Sequence, residues 1–262
     1  MSTKNKYGLS RRIPDPIARE IRQRCGFGCV ICGLAFYDYE HFDPDFAEAT
    51  EHNPAGMTLL CSQCNQKRAR GRLSAETVAR HNADPKCKQQ GYSSELFDFG
   101  LESMTVNFAG VSFTDCTHLI VVNGSPILSV KPPAETGQPF RLSGQFTDSK
   151  GRVTLKIQDN EFSVGSNNWD VDCEGPRITI RRGLGDISLV LKMNPPNELI
   201  IERLEMQSQG VFFRGNLDVL EISMDGGKHW SSWSSCSIKG CYTGISINNR
   251  QPASNDPIYE SA

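Results

Sequence analysis

Cys29-Val30-Ile31-Cys32 and Cys61-Ser62-Gln63-Cys64-Asn65 are the two stretches whose reading organises this chain. Residues 33–60 separate them. Two Cys-x2-Cys knuckles bring four thiolates to the corners of a tetrahedron, an arrangement that suits Zn²⁺ with Zn–S near ~2.3 Å. Six of the ten cysteines fall in the first ninety residues, at 25, 29, 32, 61, 64 and 87. In a reducing compartment such a cluster points to metal ligation more than to disulfides. Four thiolates close the coordination sphere and leave no position for a reacting water, so the expected role of a zinc ion here is structural. Cys25 and Cys87 lie outside the knuckle spacing and receive no role. Cys116, Cys173, Cys236 and Cys241 are dispersed and read as ordinary buried or half-buried thiols.

The neighbouring segments supply a scaffold for the cysteines. Residues 1–12 are polar and basic and read as a loose arm. Asp15-Pro16 reads as an N-cap acid followed by a helix-starting proline; Ile17 and Ile21 share a face, and Gly26 ends the helix, which predicts a helix over 15–25. Phe36 to Phe42 alternates and is aromatic, so it reads as a strand, and Met57 to Leu60 reads as a short apolar strand entering Cys61. Asn65 to Arg70 reads as the opening of a helix, and Ser74 as the cap of another.

These residues resemble the HNH endonuclease family. The resemblance is carried by Cys29-Val-Ile-Cys32, by Tyr39-Glu40-His41, by Leu59-Leu60-Cys61-Ser-Gln-Cys64-Asn65-Gln-Lys67 and by Gly71-Arg-Leu-Ser74, and it covers residues 11–82, about a third of the chain. It implies a small zinc-bound ββα-metal domain in which two strands and a helix hold one divalent cation, Mg²⁺ or Mn²⁺. It also implies Glu40 and Asn65 as ligands of that cation and His41 as the general base that takes a proton from water. Oxygen ligands suit Mg²⁺, and histidine, with its ordinary pKa near neutrality, suits the base role. Two departures stand out. Many members carry His where Asn65 stands. The middle Asn of the motif, commonly five residues before the second pair of cysteines, is Gly56 here; His52 or Asn53, slightly upstream, are the candidates for bracing the loop. Lys67, Arg68, Arg70 and Arg72 form a basic run on the helix leaving the site and are the expected contacts to a nucleic-acid backbone, with Arg11 and Arg12 as possible additions.

Charge divides along the same line. Residues 1–90 hold 14 Lys and Arg against 10 Asp and Glu; the remaining 172 residues hold 14 against 20. A basic front part fits a polyanion partner, and the acidic remainder fits a different job. Residues 91–103 read as a linker. From 104 to 250 short β-type runs alternate with turn signals such as Asn123-Gly124, which predicts an all-β region built as a sandwich, barrel or solenoid. The fold class expected is therefore α+β, with the zinc domain in residues 1–90, the β-rich region in 104–250 and a disordered tail at 251–262. No run of apolar residues reaches the ~20 that a membrane helix needs, and no apolar leader follows Met1, so the sequence reads as cytoplasmic and free of membrane. Nothing in 104–250 forms a catalytic constellation. Asp159-Asn160-Glu161 and Asn167-Asn168-Trp169-Asp170 are explained as well by turns, and Trp230 and Trp233 as core or contact patch.

The functional expectation is a metal-dependent endonuclease that hydrolyses phosphodiester bonds in DNA, regulated as a bacterial effector in defence against foreign DNA. The alternative is a catalytically silent, zinc-held nucleic-acid-binding module or a subunit of a larger complex. In either case the β-rich region would bind a protein partner or a second copy.

Overall fold

A computed structural model describes residues 4–249; the tail expected at 251–262 lies outside the described residues. The first helix, α1 (Asp15–Cys25), begins one residue differently from the expectation. Pro14 sits at the N-cap position without a side-chain cap, so Asp15 and Pro16 are the first helical residues, and Asp15 acts on the positive helix end as a charge. Gly26 closes the helix in the left-handed conformation (φ 76°) that glycine adopts at least cost. The strand expected over 36–42 is shorter, β1 (Asp38–His41). Phe36 instead packs edge-on against Phe162 of a distant strand, with centroids 5.6 Å apart. The second strand, β2 (Met57–Leu60), has the expected bounds and pairs antiparallel with β1, Glu40 opposite Thr58 and His41 opposite Met57.

Three helices follow: α2 (Ser62–Ala69), α3 (Ala75–Ala83) and the short α4 (Lys86–Gln90). Ser74 caps α3, its hydroxyl accepting from the Thr77 amide at 3.1 Å. Ile21, Val30, Phe42, Met57, Leu59, Leu60 and Val78 close around the cysteines as a small core of their own. Residues 4–12 are tied down, unlike a loose arm: the Asn5 side-chain amide donates to the carbonyls of Phe46 and Ala49, both at 2.7 Å.

The segment expected as a linker, 91–103, contains a strand, β3 (Tyr92–Leu96). Tyr-Ser-Ser-Glu-Leu has almost no apolar alternation, so its pairing is a tertiary effect that local pattern does not announce. After it come β4 (Thr105–Phe108), β5 (Val111–Thr114), β6 (His118–Val122), β7 (Ser125–Lys131), β8 (Arg141–Thr147), β9 (Val153–Gln158), β10 (Glu161–Gly165), β11 (Asp170–Glu174), β12 (Arg177–Gly183), β13 (Asp186–Asn194) and β14 (Glu198–Ser208). The series ends with β15 (Val211–Asn216), β16 (Val219–Ser223), β17 (Ser231–Ser234), β18 (Cys236–Lys239) and β19 (Thr243–Ile247).

One sheet of seven strands runs β19-β6-β7-β8-β9-β10-β3; the other, of ten, runs β11 through β17 in order, with β4, β5 and β18 joined at its side. Asn123 and Gly124, both at positive φ, make the two-residue turn from β6 to β7 that their sequence predicts. The inward residues of both sheets form one apolar core, with Phe108 of one stacked on Phe146 of the other at 6.2 Å. Of the three β architectures open at the sequence level, the structure is the sandwich: two sheets face to face, side chains alternating in and out.

The four-cysteine part is joined to this sandwich by more than β3. Phe27 and Ala35 are members of the large β core. Arg22 of α1 reaches Asp170 at the start of β11 through two hydrogen bonds, Nε to Oδ1 at 2.8 Å and Nη2 to Oδ2 at 2.7 Å, while Arg181 adds a third to Oδ2 at 3.0 Å. The Asp170 side chain is 1% exposed. Asn168, Trp169 and Asp170 therefore have structural work: Asn168 donates to the carbonyls of Gly165 and Thr154, and the Trp169 carbonyl accepts from Gln23. Asp159 and Asn160 are the positive-φ pair of the β9–β10 hairpin, as the turn reading holds.

Two of the cysteines read as dispersed thiols meet in space. Cys116, after β5, and Cys241, before β19, have their sulfurs 3.0 Å apart. The physical reason for the miss is a sequence separation of 125 residues, across which spacing carries no signal. Incubation with a low-molecular-weight disulfide is expected to convert this pair to a Cys116–Cys241 bridge: two thiols lose two protons and two electrons, and the reagent is reduced to two thiols. For a loop of this size the stabilisation is about 4–5 kcal/mol at most. Peptide mapping without reductant checks it, and persistence of both free thiols in the folded, oxidised sample would contradict it.

Candidate metal centre and catalytic face

The four cysteines expected as ligands do converge. The sulfurs of Cys29, Cys32, Cys61 and Cys64 all lie within 4.8 Å of one another, and they form the only such group of His, Cys, Asp or Glu among the described residues. Backbone geometry builds the two knuckles. Cys29 N donates to Leu34 O at 2.8 Å and Gly33 N to Cys29 O at 2.9 Å, which folds the first pair into a tight turn with Gly33 at φ 86°. Gly28 is required there, since a Cβ would lie 2.7 Å from the Leu34 carbonyl oxygen and 2.9 Å from the Cys87 sulfur. In the second pair Cys61 is the N-cap of α2, its sulfur accepting from the Cys64 amide at 3.4 Å. Val30 N donates to Leu59 O at 3.0 Å and locks the first knuckle to β2.

The donor chemistry fits a cation such as zinc. Ideal tetrahedral thiolates at Zn–S ~2.3 Å stand roughly 3.8 Å apart, and Cys32 and Cys61 are 3.5 Å apart. A hydrogen bond from Cys32 lowers the Cys29 pKa to about 5, whereas that same bond and burial raise Cys32. Burial, followed by the charge of Cys29, raises Cys64 to about 12. Four thiolates in one pocket need a positive ion among them. Cys25 and Cys87 are buried nearby but stand outside the group: Cys87 points at the Cys29 carbonyl oxygen and Cys25 at the Thr58 hydroxyl.

This centre fixes β1 against α2. Alternation along β1 puts Asp38 and Glu40 on one side and Tyr39 and His41 on the other. Asn65 is the fourth residue of α2, not its cap, and its side-chain amide points at Asp38 Oδ2 at 3.5 Å. One helical turn on, Arg68 donates from Nε to Glu40 Oε1 at 3.0 Å, from Nη2 to the Phe42 carbonyl at 3.4 Å, and contacts Asp45. Its side chain is only 10% exposed. Burial raises the Glu40 carboxyl pKa, and the Arg68 charge and hydrogen bond oppose that rise. A guanidinium therefore stands at Glu40 as a built-in cation, so the face formed by Asp38, Glu40 and Asn65 accepts positive charge.

His41 faces away from Arg68. It is 7% exposed, and its Nε2 lies 3.1 Å from Nδ1 of His52, itself 9% exposed. Phe46 packs edge-on against His41 at 5.5 Å, and Arg11 stacks over Phe46. Burial, then the charge of His52, lowers the His41 pKa to about 4, below the near-neutral value expected from its residue type. The imidazole is uncharged at pH 7 and, held that low, is a weaker base than a free histidine. His52 Nε2 is buried with no partner among the described residues.

The missing middle residue has a steric cause. A Cβ at Gly56 would lie 1.8 Å from the Asp43 carbonyl oxygen. The loop is held there by main chain: Phe42 N and Asp43 N both donate to Gly56 O, at 2.9 and 3.2 Å. Asn53 caps the short 3₁₀ turn at Pro54–Gly56, its side chain accepting from Ala55 N. Of the two residues considered for bracing, His52 reaches His41 and Asn53 shapes the turn.

The basic run splits in two. Lys67, Arg70 and Arg72 are exposed and form no ion pair among the described residues, lining a shallow depression with Ser62, Gln63 and Gln66. Arg68 turns inward to Glu40. No helix in the described residues is long and apolar enough to cross a membrane. Comparison with protein-family models, with curated proteins and with solved structures finds no match for this chain.

Proposed function

We propose that the chain is a metal-dependent endonuclease of the HNH type that hydrolyses phosphodiester bonds in DNA, with zinc as the structural ion at Cys29, Cys32, Cys61 and Cys64. The observation that carries this reading is the cysteine-held pairing of β1 with α2, which sets Asn65 and Glu40 on facing elements with a cation already at Glu40. Glu40 and Asn65 would hold Mg²⁺ or Mn²⁺, whose chemistry is to stabilise charge on the scissile phosphate and the leaving oxygen. His41, uncharged and fixed by His52, would receive the proton of the attacking water. Lys67, Arg70 and Arg72 would lie along the backbone of the bound strand, which gives salt-dependent affinity without base readout.

The wider reading is a regulated effector, acting in defence against foreign DNA and quiet until a partner or second copy docks on the sandwich. The edge strand β17, exposed at all four residues and free of charge, supports it. A second reading, a silent nucleic-acid-binding module or a subunit of a larger complex, is favoured by one observation: Arg68 occupies the carboxylate that the divalent ion needs.

Supercoiled plasmid separates the two. With Mg²⁺ or Mn²⁺, and not with EDTA, the protein is expected to nick or linearise it, and His41→Ala to cut about 10²–10⁴-fold more slowly. Cleavage by His41→Ala at the full rate would remove His41 from the chemistry. Absence of cutting in every metal, together with retained DNA binding, would favour the silent module.

A further inference from the structure

Arg68 is one residue with two candidate anionic partners, a carboxylate and a phosphodiester. Arg68 spends its guanidinium on Glu40, Asp45 and the Phe42 carbonyl, although its neighbours on the same turn, Lys67 and Arg70, point to solvent. Its side chain is 10% exposed, so its contact with the half-buried Glu40 is made where water screens poorly. Glu40 cannot give its carboxylate to that guanidinium and to a divalent cation with full strength at once. An arginine also fits a phosphodiester as well as it fits a carboxylate, through the same planar fork of N–H groups.

We infer that Arg68 couples nucleic-acid binding to divalent-metal binding: in the resting protein it holds Glu40, and a bound phosphodiester draws it away and frees the carboxylate for the metal. This deepens the proposed function and rests on it. The consequence is reciprocal, as linkage requires: DNA tightens the metal site and the metal tightens DNA by the same factor. The protein alone is therefore a poor binder of Mn²⁺, and metal and substrate enter as a pair.

Placement in the fold supports the exchange. Arg68 lies on the same face of α2 as Asn65, one turn further on, and Lys67, the residue before it, carries an exposed cationic side chain. Asp45, the other carboxylate contact, has a side chain 68% exposed, so its hold on Arg68 is weakened by solvent and is the easier of the two to break.

The test is isothermal titration of Mn²⁺ into the full chain carrying His41→Ala, so that DNA is not consumed, with and without a short duplex. Duplex is expected to tighten Mn²⁺ binding at least tenfold. With Arg68→Gln added, Mn²⁺ is expected to bind tightly without duplex and the tenfold coupling to vanish; with Arg68→Lys, which keeps a charge, part of it should persist. Glu40→Ala should abolish the site in every background. Equal Mn²⁺ affinity with and without duplex, in a protein whose site depends on Glu40, would overturn the coupling and leave the nuclease reading standing. No Glu40-dependent Mn²⁺ site in either background would overturn the nuclease reading and the coupling with it.

Discussion

Stripping the metal from the four-thiolate centre is expected to unfold the region around residues 13–83 while leaving the sandwich folded. Cys29, Cys61 and Cys64 are members of the small core that holds β1, β2 and α2 together, so the centre is that core's middle and not an ornament on it. Without the cation the four sulfurs lose the ligand that ties the two knuckles together, and the apolar residues around them are too few to hold the segment alone. Structural zinc sites carry apparent binding energies of about 10–16 kcal/mol in isolated peptides, far more than the apolar contacts of so small a unit supply. Removal of the ion with a strong chelator, followed by circular dichroism and calorimetry, should remove helical signal from α1 to α3 and keep the β signal. Cys64→Ser should do the same without chelator. A stripped protein with an unchanged helical signal would show that the fold does not depend on the ion.

Replacing Asp170 by Ala is expected to cost about 3–5 kcal/mol of stability, the scale for removing one partner of a buried ion pair. Burial lowers the pKa of Arg22, but hydrogen bonds to Asp170 and the charge of Asp172 more than offset it, so the guanidinium stays charged. Its side chain is 7% exposed and would lose two of its three hydrogen bonds, keeping that to the Tyr39 hydroxyl and the ion pair with Asp172 at 3.4 Å. Arg181 would lose one more. The double substitution Arg22→Met with Asp170→Leu should recover most of the loss, because it removes the charge along with its partner. Urea unfolding followed by tryptophan fluorescence measures both; a single-variant loss under about 1 kcal/mol would place the pair among weak surface contacts.

What the sequence disclosed follows the range over which each signal acts. The Cys-x2-Cys pairs, the strand Met57 to Leu60 and the Ser74 cap are local patterns, and each stands where local reasoning puts it. The β-rich texture was equally legible, but not how two sheets share it, because facing residues such as Phe108 and Phe146 are set by topology. Strand β3 escaped notice because Tyr92 to Leu96 is mostly polar and is held by long-range partners, β10 on one side and the Leu34 bridge to Ser94 on the other. At the candidate site, residue types pointed to Glu40, His41 and Asn65, whose surroundings are long-range facts. His52 next to His41 and Arg68 across Glu40 are brought in by the loop and the helix register. A signal for Arg68 was present in its spacing, three residues beyond Asn65 on one helix face.

The tight packing at Gly56 also constrains how this chain can change over generations. With the Asp43 carbonyl lodged where any side chain at 56 would have to go, no single substitution can install an asparagine there. The loop would first have to retreat, giving up the two main-chain hydrogen bonds to the Gly56 carbonyl, before a larger residue brought any return. Position 56 and the turn at Phe42-Asp43 thus form a ratchet. They can drift together or not at all, and sequences descended from this one should keep glycine wherever they keep that turn.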